Sequence, residues 1–252
     1  MKKTGLFTTL YLTISIFIIS CSSQSGEITK DESATVAEQV KAVNMYNYSK
    51  NGLQVLKDVT NPKSHLTFIQ LGEVVTLLGE TDSLNNREYA KVQLSDGNIG
   101  WSMSNYLIAN AKPAAIIEET NLYERPNVIN KTSKTLNNID IVAITDESDG
   151  WLQVTGINTI KKGWISKDAV SQKEEDVAMA VLAIKAVFDV KGKLLTDKIE
   201  EFLKSAPYPQ STICRTLQAE LDAQTSDDIY IEESEDAGMN AESETEATGE
   251  TK

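Results

Sequence analysis

Between roughly residue 41 and residue 171 the apolar positions come in short bursts of Val, Ile, Leu, Tyr and Trp, each closed by a polar or glycine-bearing turn. Val74 to Leu78 and Ile139 to Ile144 read as strands. Tyr89 to Leu94 turns through Asp96-Gly97-Asn98 into Ile99 to Met103, and Trp151 to Thr155 is followed, across a longer loop opened by Gly156-Ile157-Asn158, by Gly163 to Ser166. Both pairs predict antiparallel hairpins. Several strands in about 60 residues, with no helical period between them, predict a small antiparallel barrel, of a size that folds alone only marginally.

The bursts occur twice in the same order. Gly72-Glu73-Val74-Val75-Thr76-Leu77-Leu78 lies over Ile139-Asp140-Ile141-Val142-Ala143-Ile144-Thr145, and Tyr89-Ala90-Lys91-Val92 over Trp151-Leu152-Gln153-Val154. Gly100-Trp101-Ser102 with Tyr106-Leu107 lies over Gly163-Trp164-Ile165 with Ala169-Val170. The blocks are offset by between 62 and 67 positions, so two copies of one module differ by small changes in loop length. An acid-led strand, an aromatic-x-x-Val strand, a turn, Gly-Trp and a closing hydrophobic pair, in that order, resemble the bacterial SH3-like (SH3b) domain over roughly Asn44 to Ser171. The second copy carries the family's front end in Asn121-Leu122-Tyr123-Glu124-Arg125-Pro126; the first departs from it with Gly52-Leu53-Gln54-Val55-Leu56-Lys57. The resemblance implies two tandem SH3-like barrels, at 41–110 and 111–171, and recognition of peptidoglycan stem peptides or a protein partner.

From Gln172 the period changes. Val177, Val181, Ile184 and Phe188 recur at helical spacing behind the acidic turn Lys173-Glu174-Glu175-Asp176, and Gly192 is expected to break that helix. Leu194 to about Ser205 predicts a second helix, stopped by Pro207 and Pro209, and Ser211 to Ala223 a third, with Ile213, Leu217 and Leu221 on one face. The expected fold class is mainly β with a C-terminal α region at 172–225, packed on the second barrel or on a partner.

The ends of the chain are different in kind. Lys2 and Lys3 precede a mostly apolar run from Leu6 to Ile19, shorter than the ~20 residues of a membrane-spanning helix. Residues 1–20 therefore read as a signal peptide, and Ile18-Ile19-Ser20-Cys21 resembles the bacterial lipobox, which implies that Cys21 becomes the lipid-bearing first residue of the mature chain. The other reading of Cys21 is an ordinary cysteine closing an uncleaved segment. Residues 21–40 read as a lipidated, solvated tether, with a helical turn possible near Ala34 to Val43. Residues 226–252 carry ten acids against Lys252 and read as a disordered acidic tail.

Charge and chemistry narrow the function. The formal net charge of −13, more negative still without Lys2 and Lys3, argues against nucleic acid and against electrostatic adhesion to anionic lipid. With Cys21 lipidated, Cys214 has no disulfide partner in the chain and is expected to be buried as a small hydrophobe. His65 is the only histidine and sits beside the polar run Asn61-Pro62-Lys63-Ser64, with no cysteine or glycine-flanked serine nearby. No phosphate-binding glycine loop is present, so neither enzyme activity nor a cofactor nor a metal is expected. Trp101 and Trp164 follow glycine, whose missing side chain would let a ring lie across the barrel. Tyr89, Tyr106, Tyr123 and Trp151 are candidates, with the two glycine-linked tryptophans, for a shallow ligand groove; half-buried packing accounts for them equally well.

The reading is a non-catalytic, lipid-anchored, extracytoplasmic envelope protein held to the membrane by its N-terminus and binding peptidoglycan or an envelope protein; a structural role carried by the helices is the alternative. Cys21→Ala is expected to abolish incorporation of a fatty-acid analogue and detergent-phase partition, and label retained by that variant would remove the lipoprotein reading.

Overall fold

The computed structural model describes residues 39–188 and 194–223. The signal peptide, Cys21, most of the tether, Gly192 and the acidic tail lie outside the described residues.

Fourteen strands form two sheets of seven. The first contains β1 (Lys41–Asn44), β2 (Leu53–Leu56), β3 (His65–Ile69), β4 (Val74–Leu84), β5 (Arg87–Gln93), β6 (Ile99–Met103) and β7 (Leu107–Ala109). The second contains β8 (Lys112–Ile116), β9 (Thr120–Tyr123), β10 (Lys131–Leu136), β11 (Ile141–Ser148), β12 (Trp151–Gly156), β13 (Lys162–Ser166) and β14 (Val170–Ser171). Their orders, β3-β2-β6-β5-β4-β1-β7 and β10-β9-β13-β12-β11-β8-β14, are the same order of strands within each copy. A 3₁₀ turn, Ser104–Tyr106 or Lys167–Ala169, precedes the last strand of each. The repeat in the sequence is thus a repeat in topology.

Each sheet curls around its own core. Ile69 from β3 and Leu107 from β7, strands at opposite edges of the first sheet, meet in one cluster with Ala42, Leu53, Val55, Val75 and Val92. In the second, Leu136 of β10 and Val170 of β14 close over Ala114, Leu122, Val142, Leu152 and Ile165.

Two hairpins are longer than the hydrophobic pattern indicated. β4 runs on to Leu84 and turns at Asn85-Asn86, both with positive φ (52° and 59°), as a type I′ hairpin turn requires. Asp149-Gly150 (45° and 83°) does the same between β11 and β12. The polar residues beyond Leu78 hid the extension, because both faces of that outer hairpin meet water. Strand β11 begins at Ile141 rather than Ile139, whose φ of 74° belongs to the turn before it. Residues 41–43 are strand, not helical turn, and His65 opens β3 with its ring 4.4 Å from that of Phe68.

A third core joins the two barrels to the C-terminal helices. These are α1 (Glu174–Ala186), α2 (Ile199–Lys204), entered through the 3₁₀ turn Thr196–Lys198, and α3, residues 212–223. Strand alternation supplies both sides: Ala42 points into the first barrel and Val43 into the third core, Ala114 into the second barrel and Ala115 into the third core. Ile141 and Ala143 likewise face Met179, Ala180 and Ala183 of α1, while Val142 and Ile144 face inward. The helices therefore rest on both barrels and not on the second alone. Cys214 is buried in this core, and the Ser211 hydroxyl accepts the Cys214 N–H at 3.2 Å, capping α3.

Asp176 ties the helices together. Only 2% exposed, it accepts the Ser171 hydroxyl at 2.6 Å and the Thr212 backbone N–H at 2.6 Å, linking β14, α1 and α3. Burial pushes its carboxyl up, but the bonds from Ser171 and Thr212, with the Lys173 charge, outweigh burial and leave its pKa below the usual value. The group thus adds stability above the ordinary carboxylate pKa and loses it as pH falls through the lowered folded value. Asp176→Ala strands two donors and is expected to cost about 1–3 kcal/mol in denaturant unfolding at pH 7, with the difference from the parent chain shrinking in acid.

Candidate functional site

The residue that ends β1 begins the site. Asn44, fully buried, donates through Nδ2 to the Ile69 and Gln70 carbonyls at 3.0 and 2.8 Å, and its Oδ1 accepts the Tyr46 N–H at 3.0 Å. Met45, also fully buried, donates its N–H to the Tyr106 carbonyl at 2.9 Å. From the second barrel, Asn158 brackets the same segment: its N–H donates to the Met45 carbonyl and its Oδ1 accepts the Asn47 N–H, both at 2.6 Å. Asn158 has φ 55°, a left-handed conformation that asparagine tolerates better than most side chains.

This bracing presents three tyrosines. Tyr46 lies edge-on to Tyr106 (centroids 4.9 Å) and to Tyr48 (5.6 Å), with Tyr48 and Tyr106 6.1 Å apart. They line a cleft of about 550 Å³ with Met103, Asn105, Asn86 of the β4–β5 turn, and Arg87 and Glu88 at the start of β5. Tyr48 is 62% exposed. Among the described residues, the side-chain ends of Asn86, Arg87, Glu88 and Asn105 have no hydrogen-bond or ion-pair partner. The cleft therefore offers aromatic faces, a cation, an anion and two amides, a set suited to an extended peptide.

The six aromatic residues singled out from the sequence do not form one groove. Tyr106 alone lines this cleft. Tyr89 pairs with Met103 across β5 and β6. Tyr123 and Trp151, 4.9 Å apart and edge-on, sit on the second barrel, where Trp164 is the register partner of Tyr123. Trp101 lies on the outer face of the first barrel, with Lys91 Nζ 5.7 Å from its ring and 2.8 Å from Glu80.

The glycines before Trp101 and Trp164 serve a purpose other than the expected one. A Cβ on Gly100 would stand 2.6 Å from Val55 Cγ1 and 2.7 Å from the Leu56 carbonyl; one on Gly163 would stand 2.8 Å from the Tyr123 carbonyl. Glycine there lets the neighbouring strand close the barrel, and the tryptophan that follows points outward. Tyr46, Tyr48, Arg87 and Met103 were missed by the sequence reading. Tyr46-Asn47-Tyr48, an aromatic pair two apart directly after an apolar strand, was the available signal.

A second depression, about 660 Å³ and mainly apolar, runs between α1 and the barrels, lined among others by Val74, Pro113, Val177, Val181 and Leu182. Among the described residues no three His, Cys, Asp or Glu side chains gather as a metal site, and no helix is long and apolar enough to cross a membrane.

No family model matches the chain. It is 26% identical over 98 residues to the teichoic acids export ATP-binding protein TagH of Bacillus cereus, a match covering 38% of this chain and 18% of that protein. Among solved structures it is similar to NlpC2 from Trichomonas vaginalis at 18% identity, covering 54% of this chain and 49% of that one, with a TM-score of 0.24. NlpC1 from the same organism is 17% identical, with 69% and 55% covered and a TM-score of 0.24. The chain thus spans about half of each of these structures and under a fifth of the curated relative, and the structural likenesses are too slight to bear on function.

Gly100→Ala and Gly163→Ala are each expected to lower stability by about 1–3 kcal/mol through overpacking, read as a fall in Tm. An unchanged Tm in either variant would show that the strand contact is not a constraint.

Proposed function

We propose that the protein is a non-catalytic binding protein of the bacterial cell envelope, held to the membrane by a lipid on Cys21, and that the tyrosine cleft of its first barrel takes an extended peptide from peptidoglycan or from an envelope protein. The observation that carries this reading is the braced Tyr46–Tyr48–Tyr106 cleft with unpaired polar groups on its rim. The leader and lipobox support the address, as does a relative named for the export of teichoic acids. The resemblance to SH3-like domains supports recognition as the role. His65, the sole histidine, is exposed with its ring tilted against Phe68, and among the described residues no hydrogen bond ties it to the nucleophile or orienting acid that a catalytic base would serve. The net charge of −13 disfavours long-range attraction to anionic wall polymers, so contact is short-ranged and confined to the cleft.

The alternative gives the main contact to the helices. Its support is the apolar depression beside α1, where Leu182 and Val74 are exposed. Against it, Met179, Ala180, Ala183, Ile199, Ile213 and Leu217 are already spent on the third core.

The chain beginning at Ser22 is expected to co-sediment with purified peptidoglycan. Tyr48→Ala combined with Tyr106→Ala should weaken this about ten-fold or more, with little change in Tm for the exposed Tyr48 position. Retention in the supernatant at low salt, together with capture of one envelope protein lost on Leu182→Asp, would favour the helical alternative.

A further inference from the structure

The three most exposed large apolar side chains of the described residues are Ile129 (84%), Val128 (71%) and Ile160 (63%). Strand register puts them at one end of the second barrel. Tyr123, the last residue of β9, pairs with Lys131 and with Trp164, so the loop 124–130 leaves beside the start of β13. Thr155, near the end of β12, pairs with Lys162, so the loop 157–161 leaves at the same end. Isolated exposed apolar residues are ordinary; three on adjoining loops form a patch that water disfavours.

The charge there opposes that of the whole molecule. Arg125, Lys131, Lys161 and Lys162 surround the apolar tips, with Glu124 the one acid in the two loops, and Lys161 makes only a 4.0 Å approach to Asp140. At the other end of the same barrel lie Asp146, Glu147 and Asp149 around the β11–β12 turn, and Asp168 after β13, with Lys167 bonded to Glu147. In a chain of net charge −13 the end with the apolar tips is therefore net positive, four cations against Glu124 and Asp140, while Asp146, Glu147, Asp149 and Asp168 outnumber Lys167 at the other.

We propose that this end of the second barrel is a membrane-contact surface for a bilayer containing anionic lipid, with Val128, Ile129 and Ile160 entering the headgroup region and the four cations meeting lipid phosphates. Cations draw to an anionic surface over about a Debye length, and short apolar tips give the contact its depth. A soluble anionic polymer would satisfy the cations and leave the apolar tips in water, which is why lipid is the better fit. The acidic end, repelled by the same surface, orients the barrel. The contact is independent of an acyl group on Cys21 and of any ligand in the tyrosine cleft.

The test places a polarity-sensitive thiol dye at Ile129→Cys, or at Ile99→Cys on the first barrel as control, in the full chain carrying Cys21→Ser; Cys214 is buried and out of reach of the dye. With vesicles of phosphatidylcholine containing about one third phosphatidylglycerol, the label at position 129 is expected to brighten several-fold and shift to the blue, while that at position 99 stays as in water. Lys131→Glu with Lys162→Glu should return the signal to that seen on pure phosphatidylcholine, without lowering Tm. The proposal is overturned if the label at position 129 stays water-like on anionic vesicles or responds no more than that at position 99. It is also overturned if charge reversal leaves the response intact, or if only a soluble polyphosphate evokes it.

Discussion

Three strands buried on both faces hold this molecule together. In β1, β8 and β11 one set of alternate side chains fills a barrel and the other fills the third core, so each barrel wall is also the floor under the helices. Small residues make this possible: Ala115 and Ala143 on the strands and Ala180 and Ala183 on α1 allow helix and sheet to approach closely. A barrel of this size has little apolar area to spare. Sharing a core lets each module gain burial that it could not achieve alone.

The two copies share a strand order but not a surface. Identical strand order places Tyr106 and Ala169, Tyr89 and Trp151, and Trp101 and Trp164 at matching positions, yet only the first copy builds a tyrosine cleft. In the second copy the turns equivalent to those that frame the cleft, between β11 and β12 and before β14, carry Asp149 and Asp168, and the apolar tips and cations stand on the β9–β10 and β12–β13 loops. Asn158 connects the two: a loop of the second copy supplies both the donor and the acceptor that hold Met45 and Asn47, the residues either side of Tyr46. The cleft belongs to the first barrel but its wall is set by the second.

The hydrogen bonds that brace residues 44–47 hold the wall of the cleft in place before any ligand arrives, which lowers the ordering entropy that binding there would cost. The bonds of Asn158 to Met45 and Asn47 tie the 157–161 loop to the wall of the cleft, so contact with a surface at one would orient the opening of the other. Asp176 contributes at a distance, since β14, α1 and α3 keep their places through its carboxylate.

The sequence alone determined the number of modules, from a repeat offset by 62 to 67 positions, and the hairpins around Asp96-Gly97 and Gly163-Trp164, the three C-terminal helices and the burial of Cys214, each from a period or a turn written within a dozen residues. The hydrophobic run Ile141-Val142-Ala143-Ile144 also announced a strand, though not that both its faces would be covered, and the strand through Ala114-Ala115-Ile116 was not announced at all. Tertiary structure decided the rest. Whether Gly100 serves its own tryptophan or the strand opposite depends on how closely β2 approaches, and nothing near position 100 encodes that distance. The bond between Asn47 and Asn158 spans 111 residues, and neither asparagine carries a local sign of the other. Sequence patterns report which side chains leave water; only the closed fold decides which of them meet.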